Sequence, residues 1–353
     1  MKILKNVKLG GKLTDIAVEN GKIVKIGEDL GEGRDFGGLN VYPGLIDIHS
    51  HGVMGRDTMD EQNALEYMAD YYLAHGTTTW YPTTMTMSLE DIRRAVSRDI
   101  SFGHGANIPG FHMEGPFINP KYKGAQNPDY IFAPNLEFLN SCEQVKMVTI
   151  APELPGSKSF IENSRAVVSL GHTDADYATC LGAFRAGAKC LTHTFNAMNG
   201  IHHRAPGPIG AASDFDGAFA QLITDGRHID PASVRMLVKI MGEDRVIIIS
   251  DSICATGLED GEYNLGGLDI DVVDGVARIK AGNLAGSTST LFECVKSMIS
   301  FGYSPESAVR MASENPARLM GLNKGKIEVG YDADFILVDD EFNLIHTIAR
   351  GEF

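Results

Sequence analysis

The sequence predicts an α/β protein: a (β/α)8 TIM barrel with a small β-sandwich domain built from both termini. Eight apolar runs of strand length recur through the middle of the chain, most followed by an amphipathic stretch of helical period. Both ends carry short alternating runs parted by glycine turns instead. Length agrees, because 353 residues accommodate one barrel of about 250 residues and a partner of about 100.

At the N-terminus the strand-like runs are KILKNVKL, TDIAVENG and KIVKIGE; at the C-terminus they are GKIEVG, YDADFILVDD and LIHTIARGEF. Residues 1–43 and 325–353 are therefore expected to form the β domain, and 44–324 the barrel. The eight barrel runs are LIDIHSH (45–51), TTTWYPT (77–83), IPGFHME (108–114), VKMVTIA (145–151), AVVSLGH (166–172), AKCLTH (188–193), FAQLITD (219–225) and RVIIISD (245–251). Helical periodicity is clearest in EQNALEYMADYYLAHG, SLEDIRRAVSRDI, ADYATCLGAFRAG and DPASVRMLVKIMGE. The last opens with Asp230 as an N-cap and Pro231 at the first helical position. Two units are weak: the connection after VKMVTIA is short, and the one after AKCLTH is loop-rich. An open doubly wound sheet is the competing architecture.

Composition excludes several classes. The apolar share is 43% and the charged share 22%, as in globular domains. No apolar run approaches the roughly 20 residues of a membrane span, and MKILKNVKLGGK has no apolar core of an export signal. A cytoplasmic protein without a membrane partner is expected. With 31 basic and 46 acidic residues, net −15, the chain is not expected to bind nucleic acid. The five cysteines include no CxxC pair, which argues against a disulfide framework or a Cys-only zinc site and for a reducing compartment.

Chemistry collects at the ends of the runs. His49 and His51 end the first, Glu114 the third, His172 the fifth, His193 the sixth, Asp225 the seventh with His228 just beyond, and Asp251 the eighth. In a barrel those ends form the active-site mouth. Residues i and i+2 of a strand share a face, so His49 and His51 can enter the mouth together. Such a pair begins a zinc or iron site, or else is two satisfied core histidines. Glu114 precedes Gly115-Pro116, and its carboxylate would be costly to desolvate without a cation; the alternative is a solvated acid at a turn. Asp251 abuts the apolar VIIIS and suits a proton carrier beside a metal-acidified water, or a helix N-cap. The loop THTFNAMNGIHHRAPGPIG (192–210) holds Asn196, His203 and Arg204. A guanidinium matches phosphate in a forked geometry, which makes Arg204 the candidate anion clamp, with His203 as companion, unless it is a plain surface arginine.

PGLIDIHSHG (43–52) resembles the first metal motif of the amidohydrolase superfamily. FHMEGPFINPKYKGAQNP (111–128), SLGHTDADY (169–177), THTFNAMNG (192–200), HHRAPG (202–207), ITDGRHID (223–230), SDSICATG (250–257) and LAGST (284–288) together resemble the N-acetylglucosamine-6-phosphate deacetylases within it. The resemblance implies a metal-dependent hydrolase of amino-sugar catabolism that releases acetate and glucosamine 6-phosphate from a phosphosugar substrate. It implies Glu114, His172 and His193 as principal metal ligands, with His49 and His51 able to complete a second position. One or two divalent ions per subunit are expected, zinc first, with iron, manganese or cobalt as alternatives. Asp251 becomes the catalytic acid/base. Substrate contacts fall to Ala125, Asn196, Ala197, His203, Arg204, Asp225 and His228, and to the backbone of Leu284, Ala285 and Gly286. Some members carry histidine at the position of Gln126; glutamine can donate a hydrogen bond but carries no proton at neutral pH. Gln126 therefore counts as a substrate contact without an acid role.

Three alternatives stay open. One is a deacetylase of the galactosamine epimer. Another is a cyclic amidase, whose relatives bridge metals with a modified lysine; no lysine ends any of the eight runs. The third is a non-catalytic scaffold, which would be expected to have lost ligands. A homodimer is the default oligomer.

Overall fold

The computed structural model describes residues 1–353, the side chain of Gln62 excepted. Eight parallel strands form the barrel: Leu45–Ser50, Thr77–Thr84, Phe111–Glu114, Val145–Ile150, Val167–Leu170, Cys190–Leu191, Phe219–Ile223 and Val246–Ile249. They neighbour one another in chain order, each overlapping the run expected for it. The doubly wound order does not form. The ladder stops between the first and eighth strands, where the Asp251 N–H donates to the His49 carbonyl at 2.9 Å and Ser250 Oγ to Asp47 Oδ2 at 2.5 Å.

Parallel strands covered on both faces need residues that tolerate full burial. All six residues of the first strand and all eight of the second are buried. Ile46, Ile48, Tyr81, Met147, Ile223, Ile247 and Ile249 pack as one cluster; a second, larger cluster joins strands to helices. The helices Gln62–Ala74, Leu89–Val96, Tyr177–Ala186 and Pro231–Met241 lie within the four amphipathic segments. Their starts follow capping chemistry: Ser88 accepts from Asp91 N, Asp176 from Thr179 N, and Asp230 from Ala232 N ahead of Pro231. The two weak units carry short helices, Ser157–Asn163 and Gly207–Ser213.

Strands Lys2–Leu9, Lys12–Glu19, Lys22–Gly27, Arg34–Asp35 and Asn40–Pro43 join Phe335–Val338 and Leu344–Ile348 in a seven-stranded mixed sheet. Phe335–Val338 pairs antiparallel with Asn40–Pro43, which ties the two ends of the chain together. Leu4, Ile16, Ile23, Val41, Phe335 and Leu337 form this sheet's own core. GKIEVG, read above as a strand, is not one: Gly325 and Gly330 sit at φ 81° and 96° and turn the chain.

One element lies outside the expected barrel and terminal domain. Gly261–Leu265, Leu268–Val273 and Val276–Ile279 form a separate antiparallel sheet after the eighth barrel strand. Its buried residues Leu265, Ile270 and Val272 pack with Met85, Ile253 and Ala285 beside the barrel mouth. The signal was present in LDIDVVDGVARI, which alternates around Asp274-Gly275, both at positive φ in the manner of a hairpin turn. Among the described residues no helix is long and apolar enough to cross a membrane.

Candidate active site

The barrel brings the five residues expected to be metal ligands to one point. Glu114 Oε1 lies 2.9 Å from His193 Nε2, 3.1 Å from His172 Nε2 and 3.2 Å from His49 Nε2. Its Oε2 lies 3.3 Å from His51 Nε2. Asp251 Oδ1 stands 3.5 and 3.4 Å from Nε2 of His49 and His51. His172, His193 and Asp251 follow the ends of their strands with φ of 48°, 26° and 48°. A non-glycine residue pays roughly 1–3 kcal/mol for that conformation, and such strain concentrates at functional sites.

The imidazoles are aimed from behind. Nδ1 of His49 faces Gln221 Oε1 at 3.1 Å, and that of His51 faces the Thr83 carbonyl at 3.1 Å. Nδ1 of His172 faces the Tyr122 carbonyl at 2.8 Å, and that of His193 the Asn196 carbonyl at 3.2 Å. All four partners are oxygen acceptors, so Nδ1 carries a proton in each ring and Nε2 is the nitrogen that faces the carboxylates. His49 Nε2 is buried and makes no hydrogen bond, although a carboxylate oxygen lies 3.2 Å away.

This donor set fits divalent cations. Two groups form, His49–His51–Glu114 and Glu114–His172–His193, with Glu114 in common. Imidazole and carboxylate donors suit zinc, iron, manganese and cobalt. The electrostatics agree. Burial opposes ionisation of Glu114, yet His49, His172 and the hydrogen bonds of His172 and His193 hold it well below the usual range. Burial likewise pushes Asp251 up, and His49 and His51 outweigh it. His51 is driven down by burial and raised more strongly by Asp251 and Glu114, so the site draws positive charge. His112, directly against His49, is a contrast: burial and His49 push its pKa well down, and Ile48 O and Thr149 Oγ1 occupy its ring nitrogens.

A cavity of about 340 Å³ opens over these residues. Of the residues selected as substrate contacts, Ala125, Gln126, Asn196, Ala197, His228, Leu284 and Gly286 line it. Asn196 Nδ2 is buried without a partner, an unused donor at the cavity wall. Asp225 stands behind the lining and accepts from His228 Nδ1 at 2.7 Å. Ala285 is buried, also behind it, with its N–H on the Ala277 carbonyl. His203 and Arg204 are not brought into the lining: both are exposed and contact each other at 2.6 Å. The lining's lysine is Lys121, paired with Asp174 at 2.8 Å. Sequence patterning passed over Lys121, Gln221, Thr83 and Tyr122. Lys121 and Tyr122 lie inside a quoted motif; Thr83 and Tyr122 act through carbonyls, which side-chain reading does not see.

The five cysteines are free and buried.

A family model described as the amidohydrolase family matches residues 40–353. The chain belongs to that family. It is 37% identical over 330 residues to an N-acetylglucosamine-6-phosphate deacetylase of Bacillus subtilis (strain 168), covering 88% of this chain and 83% of that one. It is 33% identical over 326 residues to an N-acetylgalactosamine-6-phosphate deacetylase of Escherichia coli O157:H7, covering 88% and 86%. A solved N-acetyl-D-glucosamine-6-phosphate deacetylase mutant from Mycobacterium smegmatis, in complex with N-acetyl-D-glucosamine-6-phosphate, superposes with a TM-score of 0.92. It is 33% identical and covers 99% of this chain and 98% of that one.

Proposed function

We propose that the chain hydrolyses the acetamide of N-acetyl-D-glucosamine 6-phosphate, giving acetate and D-glucosamine 6-phosphate. The observation that carries the reading is the Glu114 carboxylate shared by two histidine pairs, with Asp251 3.4–3.5 Å from one pair. Glu114, His172 and His193 would hold one divalent ion, and His49 and His51 a second with Glu114. Zinc is our first choice for its identity. Such an ion supplies Lewis acidity to the amide carbonyl and acidifies water.

The chain's own residues do the rest. Asp251, held ionised, takes the proton of the attacking water and delivers it to the amide nitrogen as the C–N bond breaks. Asn196 offers its unused Nδ2 donor to a substrate oxygen. Asp225 fixes the ring of His228 at the cavity wall. Leu284 and Gly286 border the sugar, with Ala125 and Ala197 opposite. Arg204, with His203, is our candidate for the phosphate, and binding energy from that remote group orients the amide. We further infer a cytoplasmic homodimer; the five free thiols support a reducing compartment.

The decisive assay measures acetate release from N-acetylglucosamine 6-phosphate, its galactosamine epimer and the unphosphorylated sugar, with ion content determined on the same sample. N-acetylglucosamine 6-phosphate should be turned over fastest. The Escherichia coli relative makes the epimer the competing substrate, and a preference for it would replace this reading.

A further inference from the structure

Gln126 is buried, and its two ends are both engaged. Oε1 accepts the backbone N–H of Thr86 at 2.7 Å, and Nε2 donates to Glu114 Oε2 at 2.6 Å. A backbone N–H can only donate, so the amide oxygen must face Thr86 and the amide nitrogen must face Glu114. Orientation is thereby set by chemistry rather than by a choice between similar atoms.

The oxygens of Glu114 consequently differ. Oε1 is surrounded by Nε2 of His193, His172 and His49 at 2.9–3.2 Å. Oε2 has His51 Nε2 at 3.3 Å and is gripped by Gln126. Glu114 faces all four imidazoles only while its plane points Oε1 at His49, His172 and His193 and Oε2 at His51. The last torsion of a glutamate is broad and roughly two-fold, so the rotamer alone sets that plane weakly. Three imidazoles anchor Oε1; the short hydrogen bond from Gln126 anchors Oε2.

We propose that Gln126 is a positioning residue that aims Glu114 Oε2 at His51, so that the chain holds two divalent ions rather than one. The inference rests on the preceding reading only in requiring that these groups bind divalent ions. Losing Gln126 lets Oε2 swing away, while Oε1 stays with His172 and His193. The second ion is weakened and the first is kept.

The test is titration of the metal-stripped full chain with zinc(II) and with cobalt(II), followed by calorimetry and by the cobalt absorption bands. Two variants are compared. Gln126→Met keeps the shape and loses the donor; Gln126→Asn keeps the amide but is too short to span Thr86 and Glu114 together. Wild type should take two ions. Both variants should bind the first within about threefold and the second about tenfold or more weaker, the scale of losing a group that orients a metal ligand. Far-ultraviolet circular dichroism checks that each is folded, and either folded variant suffices. An unchanged second constant, an equal loss of both, or a wild type that takes one ion overturns the inference. A wild type that binds two ions yet releases no acetate from either sugar phosphate overturns the deacetylase reading and leaves this one standing.

Discussion

Asp47 Oδ2 accepts the hydroxyl of Ser250 at 2.5 Å across the seam where the first barrel strand meets the eighth. Asp47 Oδ1 also accepts the N–H groups of His49 at 3.2 Å and Ser250 at 3.4 Å. Asp47 is fully buried, and a backbone bond from Asp251 to His49 lies beside it. One carboxylate therefore spans the break in the ladder and sets how far Asp251 stands from His49. Asp47→Ala should cost about 2–4 kcal/mol of stability by leaving buried donors unpaired. It should also lower kcat more than it raises KM. Asp47→Asn keeps an acceptor and should recover most of the stability in denaturant unfolding. Equal kinetics in wild type and Asp47→Ala would show that the seam does not set the site.

Asp251 is the residue proposed to move the proton. Asp251→Asn keeps the shape and removes the base. Deacetylation should fall by about 10²–10⁴-fold, the usual worth of a general acid–base group, with ion content unchanged by elemental analysis. Near-normal turnover in the ion-replete variant would end the assignment.

The anion contact separates two cations. Arg204 is exposed beside His203, whereas Lys121 lines the cavity against Asp174. If Arg204 binds the phosphate, Arg204→Ala should reduce kcat/KM for the phosphorylated sugar by about 10–100-fold, as a charged hydrogen bond of about 1.5–3 kcal/mol is lost. The unphosphorylated sugar should be little affected. If Lys121 carries the phosphate instead, Lys121→Ala will show that pattern and Arg204→Ala will not.

The barrel and the cluster at its mouth were legible because burial and geometry leave marks in a linear pattern. Val246–Ile249 reads as an unbroken apolar strand because both faces are covered, and an acid at its end stands out. His49 and His51 are visible as a pair because strand period is two. What stayed hidden depends on partners distant in sequence. Gln221 sits mid-strand and supports His49 from 172 residues away. Asp47 looks like any polar residue of a run until Ser250 is placed across from it. Carbonyl acceptors such as Thr83 and Tyr122 carry no side-chain signature. The 261–279 sheet was readable from its own hairpin turn, but the barrel rhythm around it has no place for three antiparallel strands.

Asp57 supplies a test of pH dependence outside the cavity lining. It closes the short hairpin Gly52–Asp57, accepts the Met59 N–H at 2.7 Å on Oδ1, and buries Oδ2 without a partner. Burial pushes its pKa up to about 6, more than Met59, His51 and Arg98 pull it down. The folded chain thus holds this proton to about pH 6, while the unfolded chain releases it near the model-peptide value of about 4. Between those values the folded state binds more protons, so stability from this group is complete below about pH 4 and is lost as pH rises through about 6. Two pKa units correspond to about 3 kcal/mol as an upper bound. Asp57→Asn removes the titration, so its stability relative to wild type should improve by up to about 3 kcal/mol between about pH 4 and pH 7. Urea unfolding of both proteins across that range measures the difference. A wild type and variant whose stabilities run parallel with pH would mean that Asp57 is ionised in the fold throughout.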